Sequence, residues 1–240
     1  MQSIRGLSRG VLTPAVDRVD TASRRPRADL NGGATLSVLV LADIEGELIG
    51  VDLRSGALIR IRSPKQSEGE LVSRFEVVDV RLALDPETDD LAQPEAATAA
   101  DKPQAVGSLS PRRVRRLLRG VVAPPSGPLL GFPGPSLPYW EFRGARPSVA
   151  LVPPARGPQL IARPKDARTW VRFGWNREDV WLPMVATDAG AALSTAHRDR
   201  LSGKALAVAL GFRPQYLLVA LSGPRDRHCY KFCAAVLPRG

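Results

Sequence analysis

Cysteine is scarce in this chain of 240 residues, which contains only Cys229 and Cys233. Two cysteines cannot form the disulfide framework that stabilises a small secreted domain. No cationic segment followed by an apolar one opens the chain, and its apolar stretches fall short of the roughly 20 residues that a membrane-spanning helix needs. We therefore expect a cytoplasmic protein that has no disulfides and no membrane partner.

Lysine is also scarce, and 29 of the 34 basic residues are arginine. Together with abundant Ala, Pro and Gly, this imbalance is typical of a GC-rich bacterial genome, so the net charge of +10 alone is weak evidence for nucleic-acid binding. The placement of the charge is more informative. Residues 85–107 contain six acidic residues and one basic residue, whereas residues 108–240 contain 21 basic and seven acidic ones. A strongly basic C-terminal half thus follows an acidic segment that could mask it.

Long helices are disfavoured by the 22 prolines and 21 glycines. Short apolar runs bounded by turn residues predict strands instead, at residues 35–44, 47–53, 57–62, 74–84, 139–143, 148–152, 159–163, 216–221 and 229–237. We predict an α+β protein that is mainly β, with short antiparallel strands and one or two helices in the C-terminal half. Its predicted segments are a disordered basic leader (1–32), a small β meander (33–84), an acidic linker (85–107) and a basic β-rich domain (108–240).

Residues 110–120 predict a short basic helix, because Ser110 is a good N-cap and Pro111 suits the first helical position. Val114, Leu117 and Leu118 share one side at i, i+3, i+4 spacing, which leaves the other face to five arginines: Arg112, Arg113, Arg115, Arg116 and Arg119. Such a face can contact phosphates or an acidic partner. The alternative is that these arginines are solvated and that the acidic linker balances their charge. A second helical pattern, at residues 187–210, is interrupted at its centre and predicts one helix or two.

Residues 169–183 contain three of the four tryptophans, although aromatic residues make up only 5% of the chain. Alternation predicts a hairpin in which Trp175 lies on the loop. Aromatic side chains interleaved with arginine are typical of single-stranded nucleic-acid binders, and they are also how a small β core fills its volume. We expect Trp170 and Trp181 to belong to the core and Trp175 to belong to an interface.

Enzymatic chemistry has two weak candidates. His228 and Cys229 are a possible nucleophile and base, but neighbours on a strand point to opposite faces, and the cysteine spacing lacks the remaining ligands of a zinc site. Asp43, Glu45 and Glu47 occupy alternate positions, so they could converge as paired carboxylates or as metal ligands. The alternative is that they are the solvated end of a hairpin. We predict no catalytic residue, no metal site and no cofactor.

The sequence therefore favours a non-enzymatic binding or accessory protein that docks on an anionic partner, either nucleic acid or an acidic protein surface. The predicted site is a basic, tryptophan-containing face that combines the five helix arginines with Arg172, Trp175 and Arg177. The alternative is an enzyme of unknown class with its site near His228 and Cys229.

Overall fold

The computed structural model describes residues 27–44, 46–63, 72–85, 90–142, 146–163 and 168–240. Most of the predicted leader, residues 1–26, lies outside the described residues, as do residues 86–89 of the predicted linker. Within the described residues the protein is mainly β, with largely antiparallel sheets and three α-helices, which confirms the predicted fold class. None of these helices is long and apolar enough to cross a membrane.

The first six strands form one sheet, which we call the barrel sheet. They are β1 (Thr35–Ile44), β2 (Glu47–Asp52), β3 (Leu58–Arg62), β4 (Glu76–Arg81), β5 (Ala96–Thr98) and β6 (Gln104–Ser108). Their order is β5-β3-β2-β1-β4-β6, and β3 and β5 are the parallel neighbours. β1 and β2 approach closely at Gly50, where a Cβ atom would lie 2.6 Å from the Leu39 carbonyl oxygen, so the position requires glycine.

The barrel sheet closes on itself through a segment that we expected to be a linker. The Ala83 N–H donates to the Thr98 carbonyl at 2.9 Å, and the Ala100 N–H donates to the Arg81 carbonyl at 2.8 Å. The expected lack of regular structure is therefore wrong for this part of the segment, since β5 lies within residues 85–107 and β6 begins there. The buried side chains of β5 are alanines, which allow close packing but leave no strong apolar pattern in the sequence.

The remaining strands form two four-stranded sheets. They are β7 (Ser136–Pro138), β8 (Val149–Val152), β9 (Arg156–Arg163), β10 (Arg168–Trp175), β11 (Glu178–Pro183), β12 (Arg200–Ser202), β13 (Tyr216–Leu221) and β14 (His228–Leu237). The middle sheet has the order β7-β14-β13-β8, and the Trp sheet has the order β11-β10-β9-β12.

The helices are α1 (Pro111–Val121), α2 (Thr187–Thr195) and α3 (Gly203–Leu210). The helical pattern predicted at residues 187–210 is thus two helices separated by β12, with His197 in the left-handed region at φ 49° after α2. The strand predicted at residues 139–143 is wrong: Tyr139–Glu141 forms a single 3₁₀ turn. Pro138 is the last residue of β7, which is an edge strand, and the chain turns directly after it.

Hydrophobic clusters fill the spaces between these layers. One cluster lies between the Trp sheet, the middle sheet, α2 and α3, and includes Phe173 and Leu206. Another joins the barrel sheet to the middle sheet and α1 through Leu39, Leu118 and Leu218, while a third fills the barrel. The predicted division into domains stays a prediction, and the second of these clusters contains residues from both sides of the predicted linker.

A buried polar network also crosses between the barrel and middle sheets. Arg60, which is 1% exposed, donates from Nε to Glu47 Oε1 at 2.8 Å and from Nη1 to the Leu221 carbonyl at 2.7 Å. Glu95 accepts hydrogen bonds from the Ser148 N–H and hydroxyl. Burial raises the pKa of Glu95, although the bonds from Ser148 act in the opposite direction. Burial of Arg60 or Glu95 without a partner would cost free energy of folding, and the hydrogen bonds from Arg60 to Glu47 and from Ser148 to Glu95 offset this cost.

Candidate functional site

The outer face of the Trp sheet carries tryptophan and arginine side chains in neighbouring rows. Val171 and Leu182 pair across β10 and β11, and both pack into the cluster beneath the sheet. Successive strand residues point to opposite faces, so the rows on either side of this pair point outward. Trp170 lies in one outward row, and Arg172 pairs with Trp181 in the next.

The outward side chains form a mixed stack of guanidinium groups and indole rings. The Arg163 guanidinium carbon lies 4.2 Å from the ring centroid of Trp170 and 5.4 Å from that of Trp181. The guanidinium carbon of Arg172 lies 5.2 Å from the Trp181 centroid. These distances fall within the range of cation–π attraction. The order Arg172, Trp181, Arg163, Trp170 therefore alternates cation and aromatic ring along the face.

This face has a net positive charge. Arg172 donates from Nε to Asp179 Oδ2 at 2.8 Å, and this hydrogen bond raises the pKa of Arg172 and lowers the pKa of Asp179. Asp179 is the one acidic side chain among the outward positions that the structure describes. The other charged residues at outward register positions are exposed arginines: Arg156, Arg163, Arg168 and Arg200.

Trp175 does not lie on the hairpin loop, so its predicted loop position is wrong. It is the last residue of β10, pairs with Glu178 and is 3% exposed. Its indole Nε1 donates to the Gly127 carbonyl at 3.2 Å. The turn consists of Asn176 and Arg177 alone, at φ 43° and 68°, as in the two-residue turns that suit a hairpin. We expected a longer loop that included Trp175. Because the turn has only two residues, Trp175 belongs to the strand.

Trp170 and Trp181 take the opposite role. Both were expected in the core, but both are half-buried on the outer face. The alternation from Val171 through Phe173 to Trp175 already places these three residues on one face and Trp170 on the other. The exposure of Trp170 could therefore have been predicted from the sequence. The prediction required Val171, Phe173 and Trp175 to be assigned to the inward face.

Helix α1 forms a separate basic surface. Of the predicted apolar face, Val114 and Leu118 are buried against the middle and barrel sheets and Leu117 is partly buried there. Four of the arginines are exposed: Arg112, Arg113, Arg116 and Arg119. Arg115 is half-buried and donates from Nη2 to the Gly240 carbonyl at 3.1 Å. The single face predicted from these arginines and Trp175 does not form, because Trp175 is buried in a different hydrophobic cluster.

His228 and Cys229 do not form a nucleophile–base pair. Cys229 is fully buried, and burial raises the pKa of its thiol to about 11. The His228 ring lies near Trp140 and Tyr230, with centroid distances of 6.3 and 6.2 Å, and its Nδ1 lies 3.1 Å from a backbone carbonyl oxygen. Cys233 is also free and buried, and burial raises its pKa. These thiols are held in their unreactive form.

The alternating carboxylates of the first hairpin have structural partners. Asp43 Oδ2 accepts a hydrogen bond from the Val72 N–H at 2.9 Å, and Glu47 is bound by Arg60. Glu45 lies outside the described residues. No group of three His, Cys, Asp or Glu side chains that could hold a metal ion occurs in the described part of the chain.

Among the described residues, no carboxylate of the acidic segment at residues 85–107 forms an ion pair with an arginine of α1. Asp90 pairs with Arg62 at 3.2 Å, and Asp101 lies 4.0 Å from Arg81. Glu95 is part of the buried network described above. These carboxylates therefore neutralise the barrel sheet and its junction with the middle sheet.

Lys231 is a buried cation that the sequence did not single out. Its Nζ donates to the carbonyls of Phe132 and Gly134 at 2.6 and 2.7 Å and lies 3.9 Å from the Phe132 ring centroid. Burial lowers the pKa of Lys231 to about 8. Its bonds to two loop carbonyls indicate a structural role, since they fix the segment that leads to β7.

Comparison of the chain with protein-family models, with curated proteins and with solved structures finds no match.

Proposed function

We propose that this protein is a non-enzymatic binding protein whose Trp-sheet outer face binds single-stranded nucleic acid. The observation that carries the proposal is the stack of Arg172, Trp181, Arg163 and Trp170 on a face with net positive charge. Bases stack on indole rings and on guanidinium planes, and exposed arginines bind phosphates.

The aromatic component favours nucleic acid over an acidic protein surface. An acidic partner needs only charge, which α1 also offers through its exposed arginines. The Trp sheet adds flat rings whose orientation is fixed by the guanidinium groups beside them. Bases can stack on indole rings and guanidinium planes of this kind, which gives the face a second means of recognising nucleic acid besides charge.

The proposal is tested by titrating the protein into a fluorescein-labelled oligo-dT of about 12 nucleotides, a length within the site sizes of such surfaces. The variant W170L/W181L keeps apolar cover on the sheet but removes both rings. Because each stacked base contributes about 1–3 kcal/mol, we expect affinity to fall about tenfold or more. The matched control is W140L, since Trp140 is 59% exposed on another surface.

The electrostatic part is tested by the salt dependence of the same titration. If the Arg163 side chain binds one phosphate, Arg163→Gln should reduce the slope of log affinity against log salt by about 0.7. Arg54→Gln removes the same charge from the exposed turn between β2 and β3 and should leave the slope unchanged.

Other results would contradict the proposal. Undetectable binding at low salt, or an equal fall in affinity in W170L/W181L and W140L, would show that the stack does not bind bases. Binding of a poly-glutamate peptide without binding of the oligonucleotide would replace nucleic acid with an acidic protein as the partner.

A further inference from the structure

A cleft of about 1020 Å³, lined by no residue of the Trp sheet, opens where the start of β4, the end of β6, the start of α1 and the C-terminal segment meet. Its apolar lining includes Phe75, Leu109 and Val114, and its cationic lining includes Arg213 and Arg239. This volume is at the upper end of the range found for small-molecule sites.

The walls of the cleft are held in place. Arg74, which lines one wall, forms an ion pair with Asp188 at 2.5 Å and lies 5.4 Å from the Phe212 ring centroid. On the opposite wall, Arg115 binds the Gly240 carbonyl. A Cβ atom at Gly240 would lie 2.8 Å from Val114 Cγ1, so this segment packs tightly on α1.

The backbone of the cleft is strained at one aromatic residue. Phe75 has φ 67°, in the left-handed region that is unfavourable for a bulky side chain. Its N–H donates to the Val40 carbonyl at 2.8 Å, which ties this conformation to β1. Strain of this kind concentrates at ligand sites.

The charge of the cleft is positive. Arg213 and Arg239 are exposed and form no ion pair with the carboxylates that the structure describes. Glu76 is the acidic residue of the lining, and its Oε2 accepts a hydrogen bond from the Ser73 N–H at 3.1 Å. Two guanidinium groups and one carboxylate, which form no ion pair among the described residues, therefore line the cleft together with apolar side chains.

We infer that this cleft binds a small organic anion with an apolar body. The apolar part would pack on Phe75, Leu109 and Val114, and the anionic group would lie between Arg213 and Arg239. Guanidinium groups suit sulfonate, phosphate and carboxylate oxygens because they offer paired donors.

Two fluorescent probes with the same apolar body test this inference: 1-anilinonaphthalene-8-sulfonate, which is an anion, and the neutral N-phenyl-1-naphthylamine. In R213Q/R239Q, the affinity for the anion should fall about tenfold or more, as expected when charge-assisted hydrogen bonds are removed. Affinity for the neutral probe should change less than about twofold, since its apolar contacts remain. The matched control R54Q/R81Q removes two exposed arginines elsewhere and should leave both affinities unchanged.

A second variant tests the location without removing charge. Ser108 is exposed at the end of β6 and lines the cleft, so Ser108→Trp should fill part of it and weaken both probes. The inference is overturned if the anion binds R213Q/R239Q and Ser108→Trp as well as it binds the wild type, or if R54Q/R81Q weakens it equally. Oligonucleotide affinity of R213Q/R239Q should match that of R54Q/R81Q, which separates this site from the Trp-sheet face.

Discussion

At the scale of single residues, the three clustered tryptophans have different roles. Trp175 fills the space between the Trp sheet and the middle sheet and satisfies its indole N–H with the Gly127 carbonyl. Trp170 and Trp181 cover the outer face and are partly exposed to solvent. Stability should therefore depend on Trp175, and binding should depend on the other two.

This difference predicts unequal decreases in stability. Trp175→Ala should lower the free energy of unfolding by about 3–5 kcal/mol, as expected when a large buried aromatic side chain is removed. Trp181→Ala should lower it by less, about 1–2 kcal/mol, since Trp181 is partly exposed and the change removes two cation–π contacts and part of its buried area. Urea denaturation followed by circular dichroism measures both values, and equal decreases would contradict the assignment of Trp175 to the core.

At the scale of elements, the hairpin of β10 and β11 has an arginine at a turn position where the backbone favours glycine. Arg177 occupies the second turn position at φ 68°, where glycine is favoured. The exposed guanidinium lies at the tip of the Trp sheet, at a position that we expected to contact the partner. A residue poorly suited to its backbone conformation is consistent with a role outside folding.

Replacement of this residue gives a second prediction. Arg177→Gly should increase the free energy of unfolding by about 0.5–1 kcal/mol, because relief of left-handed strain exceeds the added flexibility of the unfolded chain. Arg54→Gly, in a turn where φ is negative, should not increase stability. A decrease for Arg177→Gly in thermal denaturation would show that its backbone is not strained.

Elements with strong alternation were predictable from the sequence, and elements of small residues were not. β1 to β3 follow from their runs of Val, Leu and Ile, and α1 follows from its caps and the spacing of Val114 and Leu118. β5 was missed because its buried residues are Ala96 and Ala97, which carry little β propensity. The parallel pairing of β5 with β3 is a long-range contact that no local pattern encodes.

The candidate site was predictable in composition but not in geometry. The sequence indicated that tryptophan and arginine share residues 169–183, and Arg172 does lie in the stack. Arg163 was missed, because it belongs to β9 and reaches Trp170 only through the pairing of β9 with β10. The position of helix α1 relative to the Trp sheet could not be predicted from the sequence. It depends on which hydrophobic cluster each element packs into, and no local pattern specifies that.

At the scale of the whole molecule, the layers share their interiors. The cluster of Leu39, Leu118 and Leu218 unites the barrel sheet, α1 and the middle sheet. The network of Arg60 and Glu95 crosses the same junction. Unfolding of either half would expose apolar surface and leave buried charges without partners.

We therefore predict a single cooperative unfolding transition. All four tryptophans lie between residues 140 and 181, so fluorescence reports on the C-terminal half, whereas circular dichroism reports on the whole chain. The two probes should give coincident transitions. Ile59→Val, a change inside the barrel, should lower stability by about 0.5–1.5 kcal/mol by both probes. Separate transitions, or an unchanged fluorescence midpoint in this variant, would instead support two independent domains.

The function of the whole molecule depends on whether the outer face of the Trp sheet binds bases. The most direct measurement is the ratio of oligo-dT dissociation constants between W170L/W181L and wild type, compared with the same ratio for W140L. We predict a ratio of about ten or more for the double variant and about one for W140L. Equal ratios for the two variants would contradict the proposal that the stack of arginine and tryptophan is a nucleic-acid binding surface.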